Sequence, residues 1–129
     1  MIYVVDTHAL VWFLEKSEKL GRAAHAALTS PENGFLIPTI VLAEIRYLAA
    51  AKRISPDFET VLKAIRKDGR FALIGLDLTI LELMPLELDI HDAIIVATTL
   101  DRTETLLEEC AVITRDREIV ESGLVKTVW

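Results

Sequence analysis

The chain has 129 residues, 52% of them hydrophobic, and a formal net charge of −6. That size and composition suit one domain, residues 1–129, with a real core, and exclude a chain disordered throughout. The acidic balance speaks against nucleic-acid binding by bulk electrostatics, although acids clustered at a metal site would themselves add negative charge. No apolar run is long enough to span a bilayer, and residues 2–5 are too short for the apolar part of a signal peptide. Cys110 is the only cysteine, so no intrachain disulfide forms, in keeping with a reducing cytoplasm, and a cytoplasmic location is expected.

Residues 2–6 are β-branched or apolar up to Asp6, the pattern of a buried parallel strand. Residues 8–15 are apolar nearly all round, which predicts a buried helix. A more amphipathic helix follows over 19–29, then a turn cluster, Ser30-Pro31-Glu32-Asn33-Gly34. Phe35 to Ile37 reads as a second strand closed by Pro38. Thr39 is the expected N-cap of a helix running to about Lys52, with Val41, Leu42, Ile45, Leu48 and Ala49 as its apolar stripe. Ser55 is expected to cap the next helix, with Pro56 in its first turn. Phe71 to Leu76 predicts a third strand, and 77–84 a short helix that Pro85 stops. The most apolar helix spans His91 to about Leu100. A polar stretch, 101–109, leads to a fourth strand over Cys110–Thr114, a helical turn, and a short last strand over Leu124–Val128. Strands alternating with helices imply an α/β fold: a central parallel sheet with both faces covered and right-handed crossovers.

Four acids stand at special places in this layout. Asp6 ends the first strand and Asp116 follows the fourth. Asp92 lies in the first turn of the apolar helix, where the helix dipole favours an anion. Glu44 lies in the first half of its helix. Each also has a plainer use, as a helix cap or as a solvated acid. Together they fit one crevice at the carboxyl ends of the strands, where open α/β sheets collect ligands. Gathered carboxylates raise each other's pKa and repel, and a divalent cation relieves that repulsion. All-oxygen donors suit Mg2+ or Mn2+ rather than zinc. The chemistry implied is metal-dependent hydrolysis of a phosphodiester.

Four segments in this order carry a resemblance: Val5-Asp6-Thr7-His8-Ala9-Leu10-Val11-Trp12, Val41-Leu42-Ala43-Glu44-Ile45, His91-Asp92-Ala93-Ile94-Ile95-Val96-Ala97 and Ile113-Thr114-Arg115-Asp116. Over nearly its whole length the chain resembles the PIN-domain ribonucleases, and among them the VapC-type toxins of toxin–antitoxin pairs. The resemblance implies a three-layer α/β/α sandwich and an acidic pocket for Mg2+ or Mn2+ formed by Asp6, Glu44, Asp92 and Asp116. It also implies endoribonuclease activity on RNA, homodimerisation and inhibition by a cognate antitoxin. Where many members carry arginine after the third acid, this chain has Ala93.

Thr7 and Thr114 flank the strand-end acids and are expected to orient a carboxylate or a metal-bound water, or else to cap backbone N–H groups. Asp89 reads more readily as an N-cap than as a ligand. His8 and His91 lie beside candidate ligands but suit packing or solvation better. Arg46, Arg115 and Arg117 are candidates for holding RNA phosphates. Tyr47, Leu48 and Ala51 could contribute to a dimer or antitoxin groove. Two other readings stay open: a phosphotransfer or phosphatase-type α/β domain, and a non-catalytic PIN-like binding module. Receiver domains want a second acid beside the strand-end aspartate, where this chain has Val5 and Thr7. The phosphatase pattern wants an aspartate two residues on, where it has His8.

Overall fold

Ile2–Val5 (β1) is the middle strand of a five-stranded parallel sheet in a computed structural model that describes residues 1–129. The other strands are Gly34–Pro38 (β2), Phe71–Ile74 (β3), Cys110–Ile113 (β4) and Thr127–Val128 (β5), in the order β3-β2-β1-β4-β5. Tyr3 of β1 stands level with Phe35 of β2 and Ala111 of β4. The chain builds outward from β1 to β3, then crosses back to lay β4 on the other side of β1. That reversal opens a crevice between the carboxyl ends of β1 and β4.

The helices are Thr7–Leu14 (α1), Arg22–Thr29 (α2), Thr39–Ala50 (α3), Phe58–Lys67 (α4), Leu78–Glu82 (α5), Ile90–Leu100 (α6) and Arg117–Ser122 (α7). α1 packs against α2 and α3, and α3 against α4, while α6 packs against α5 and α7. The sheet lies between these two helical layers, giving the α/β/α sandwich expected. A single cluster of 24 buried residues joins them, with Val4, Val5, Ile37, Ile45, Ile95 and Val112 all fully buried. β1 and β4 have no polar alternation because both of their faces are covered.

Several boundaries differ from the sequence expectation. Thr39 is the first residue of α3 and not its cap; Pro38 holds that position, with no side-chain cap, because β2 runs straight into the helix. Ser55 does not cap α4. Asp57 does, its carboxylate accepting from Thr60 N at 2.8 Å, while the Ser55 N–H is tied to Glu15 Oε2 at 3.1 Å. Pro56 therefore lies before the helix. α2 starts at Arg22 and not at residue 19: Gly21 holds the N-cap position in extended backbone and lies against Trp129, where a Cβ would sit 2.5 Å from the Trp129 carbonyl carbon. β3 ends at Ile74, short of Gly75.

Asp101–Thr105 continues α6 as a π-helical turn, closed by Leu106 N donating to Asp101 O at 3.0 Å. Three threonines precede or enter it, and each bonds back to a carbonyl one turn earlier: Thr98 to Ile94, Thr99 to Ile95 and Thr103 to Thr99. Such back-bonds compete with the helical ladder and loosen it. They account for the widening of the helix where the sequence left its shape open.

Candidate active site

Asp6 leaves β1 and becomes the N-cap of α1, so a rigid strand and a helix start fix it together. Its Oδ1 accepts the Thr7 N–H at 2.7 Å and its Oδ2 accepts the Thr114 hydroxyl at 2.6 Å. The same Thr114 hydroxyl oxygen accepts the Asp116 N–H at 2.9 Å. One buried threonine thus ties the end of β1 to the turn after β4. Asp116 caps α7, accepting from Glu118 N at 2.9 Å and Ile119 N at 3.3 Å. The capping role read from sequence is therefore real for Asp6, and Asp116, whose plainer use was as a solvated acid, is a cap as well; each carboxylate still lines the crevice.

Asp92 enters from α6 and is 6% exposed. Asp89 caps that helix, accepting from Asp92 N at 3.1 Å. Glu44 comes from α3, where it accepts the Thr7 hydroxyl on Oε2 at 2.9 Å and meets His91 Nε2 at the same oxygen. His91 Nδ1 lies 3.7 Å from Asp92 Oδ1. The imidazole thus stands between two carboxylates from different elements.

Asp6, Glu44, Asp92 and Asp116 line one cleft of about 370 Å³, together with His8, Asp89 and His91. No hydrophobic side chain lines it. Of the six buried polar or charged residues in the protein, four belong here: Asp6, Thr7, Asp92 and Thr114. Burying polar groups is costly, so their concentration at one crevice marks it off from the rest of the interior. A larger cavity, about 710 Å³, lies between α1 and α2, lined by residues that include Phe13, Leu20 and His25. None of the four acids reaches it, and donors rather than volume decide where the chemistry lies.

The electrostatics follow from this crowding. Asp92 is raised from 3.8 to about 6, first by burial, then by the neighbouring charges of Asp116, Asp89 and Asp6, with His91 acting in the opposite sense. The Asp6 carboxyl is also raised, chiefly by burial, against the lowering effect of the Thr114 and Thr7 hydrogen bonds.

A PIN domain family model matches residues 3–122. The chain belongs to the PIN domain family. No curated protein matches it. Among solved structures it is similar to VapBC2 from Rickettsia felis bound to a DNA fragment from their promoter: TM-score 0.66, 16% identity, 98% of this chain and 97% of that one covered. It is also similar to VapBC-1 from nontypeable Haemophilus influenzae, with TM-score 0.64, 17% identity, and 98% and 96% covered. At such identities the likeness speaks for the fold.

The donor set of this PIN domain suits a hard divalent cation. Four carboxylates converge, and Asp92 is pushed up first by its burial and then by the charges of Asp116, Asp89 and Asp6, part of which a bound cation would relieve. No three His, Cys, Asp or Glu side chains stand as a ready-made cage. Glu44 in particular is engaged by Thr7 and His91 and would have to turn toward an ion. Ala93 is buried, and no guanidinium stands there to offset the acids.

Sequence reasoning underrated His91. Glu44 and His91 are 47 positions apart, and nothing in the local pattern of either segment announces their contact. His8, set aside as a packing residue, does both things: it lines the cleft and its ring packs at 5.3 Å from Trp12. None of the three arginines singled out lines the cleft. Arg46 lies over Phe58 at 5.2 Å, Arg117 pairs with Glu121 at 2.8 Å, and Arg115 stacks on Trp12 at 4.4 Å. No helix is long and apolar enough to cross a membrane.

Proposed function

We propose that this PIN domain is a divalent-metal-dependent endoribonuclease, acting as the VapC-type toxin of a toxin–antitoxin pair. The observation that carries the reading is the convergence of Asp6, Glu44, Asp92 and Asp116, from four separate parts of the chain, on one wholly polar cleft. Family membership and the VapBC structural neighbours support it.

Asp6, Glu44, Asp92 and Asp116 would hold Mg2+ or Mn2+. When bound, the ion supplies Lewis acidity that activates water and neutralises charge on the phosphate. Thr114 and Thr7 fix Asp6, and Thr7 and His91 hold Glu44 until it is needed. One of the cleft carboxylates would take the attacking water's proton. RNA enters this picture as a loop or single strand, the forms in which its bases are open to a protein.

The partners proposed are an RNA substrate, a cognate antitoxin and a second copy of the chain. Leu78, Leu86 and Ile90 are 67, 92 and 70% exposed around α5 and the start of α6, apolar surface that suits self-association. Asp6→Asn keeps one of the two acceptor oxygens, for Thr114, at the loss of the Thr7 N–H bond, and should abolish RNA cleavage while the protein still folds. Cleavage by wild-type protein should stop on chelation and return with Mg2+ or Mn2+. Wild-type rates from Asp6→Asn, or indifference to chelation, would remove this reading. Light scattering after size exclusion reports the dimer.

A further inference from the structure

The acidic cleft does not end at the acids. His8 lines it and also lines a second hollow of about 530 Å³ between α1, the end of α3 and the loop into α4. Lys19, Lys52 and Arg53 face this hollow, and Trp12 contributes to its wall. All three cations are exposed, and none of them forms an ion pair. The one acid in the groove, Glu15, is engaged with the Ser55 N–H. Lys19 lies 5.8 Å from the Trp12 ring centroid, and one further cation, Arg115, which does not line the hollow, lies 4.4 Å from it.

The backbone holds one of these cations at some cost. α3 ends with Lys52 at φ 55°, Lys52 N donating to Ala49 O at 3.0 Å and Arg53 N to Leu48 O at 2.9 Å. This helix ending favours glycine at the left-handed position. Lysine there strains the chain and puts an ammonium at the lip of the groove.

On the reading that the acids cleave RNA, a polyanion must approach a cleft of carboxylates on a protein of net charge −6. Local cations have to offset that repulsion. We propose that the groove running from His8 past Trp12 to Lys19, Lys52 and Arg53 holds the backbone of the single-stranded RNA whose scissile phosphate lies at the acids. The cations neutralise phosphates, and the apolar parts of the wall receive bases. A protein segment is the competing occupant. The free cations facing one groove, and its continuity with the acidic cleft through His8, favour the nucleic acid.

The test uses the Asp6→Asn protein, which binds without cutting, and a fluorescein-labelled single-stranded RNA of roughly 12 nucleotides, followed by anisotropy across a salt series. Lys52→Gly with Arg53→Gln should weaken binding at least about tenfold. It should also lower the salt slope by about 1.4, at about 0.7 per cation lost on a single strand. Its melting temperature should be unchanged or higher, because glycine relieves the strain at residue 52, so misfolding cannot imitate the effect. The same loss of charge elsewhere, Arg66→Gln with Lys67→Gln on α4, should leave the slope near that of the Asp6→Asn parent. Tight RNA binding that ignores the Lys52 and Arg53 changes overturns the groove alone and leaves the protein segment as its occupant. No saturable RNA binding by the parent overturns the ribonuclease reading and the groove with it.

Discussion

Asp92→Asn should make the metal-free protein more stable at neutral pH. Asp92 rises from 3.8 to about 6 on folding, through burial and the charges of Asp116, Asp89 and Asp6. Between those two values the folded chain keeps a proton that the unfolded chain has lost, so stability falls as pH rises through that window. At about 1.36 kcal/mol per pH unit, the ionised carboxylate costs about 3 kcal/mol at pH above the window. Asparagine has the same shape and no charge, so it recovers up to that amount in chelator. For a chain of this size that is a melting temperature higher by about 10 °C. Calorimetry in chelator over pH 4 to 8 (a range of assay conditions, about two units either side of the raised value) reads both quantities. The wild-type curve should fall toward high pH and the Asp92→Asn curve should be flatter, retaining only the slope due to Asp6. Added Mn2+ should stabilise the wild type more than the variant. Equal stabilities above the window, or parallel curves, would show that neither burial nor the neighbouring acids hold Asp92 above its ordinary value in solution.

Thr114→Val removes the hydroxyl that donates to Asp6 and accepts from the Asp116 N–H. With the buried Asp6 carboxylate and the half-buried Asp116 N–H each losing a partner, denaturant unfolding should show a loss of about 1–3 kcal/mol, and Mn2+ binding should weaken in calorimetry. Gly21→Ala forces a Cβ against the Trp129 backbone and ring. It should cost about 1–3 kcal/mol and alter the fluorescence of the Trp12–Trp129 pair, whose rings meet at 5.8 Å. An unchanged spectrum would mean that the end of the chain does not pack as described. Asp57→Ala should lower the melting temperature by removing the cap of α4, whereas Ser55→Ala should not. The reverse order would restore the boundary expected from sequence.

The sequence by itself determined the element types and the four acids. β1 and β4 were legible because strands covered on both faces must be apolar without alternation, and Val4, Val5, Val112 and Ile113 are fully buried. Asp6 and Asp116 were legible because each ends or follows such a run. Helix starts were less so: Asp57 and Ser55 are both good capping residues, and local pattern does not choose between them; in the fold Asp57 caps α4, while the Ser55 N–H is held by Glu15, 40 positions away. Tertiary structure alone decided that Asp6 and Asp116 share one threonine hydroxyl, because the order β2-β1-β4 sets strands 108 residues apart side by side. It alone brought His91 to Glu44 and joined Lys19 to Lys52 and Arg53 across one groove. Local pattern reports which face of an element is buried. Pairings between elements depend on the path of the whole chain, which no single segment encodes.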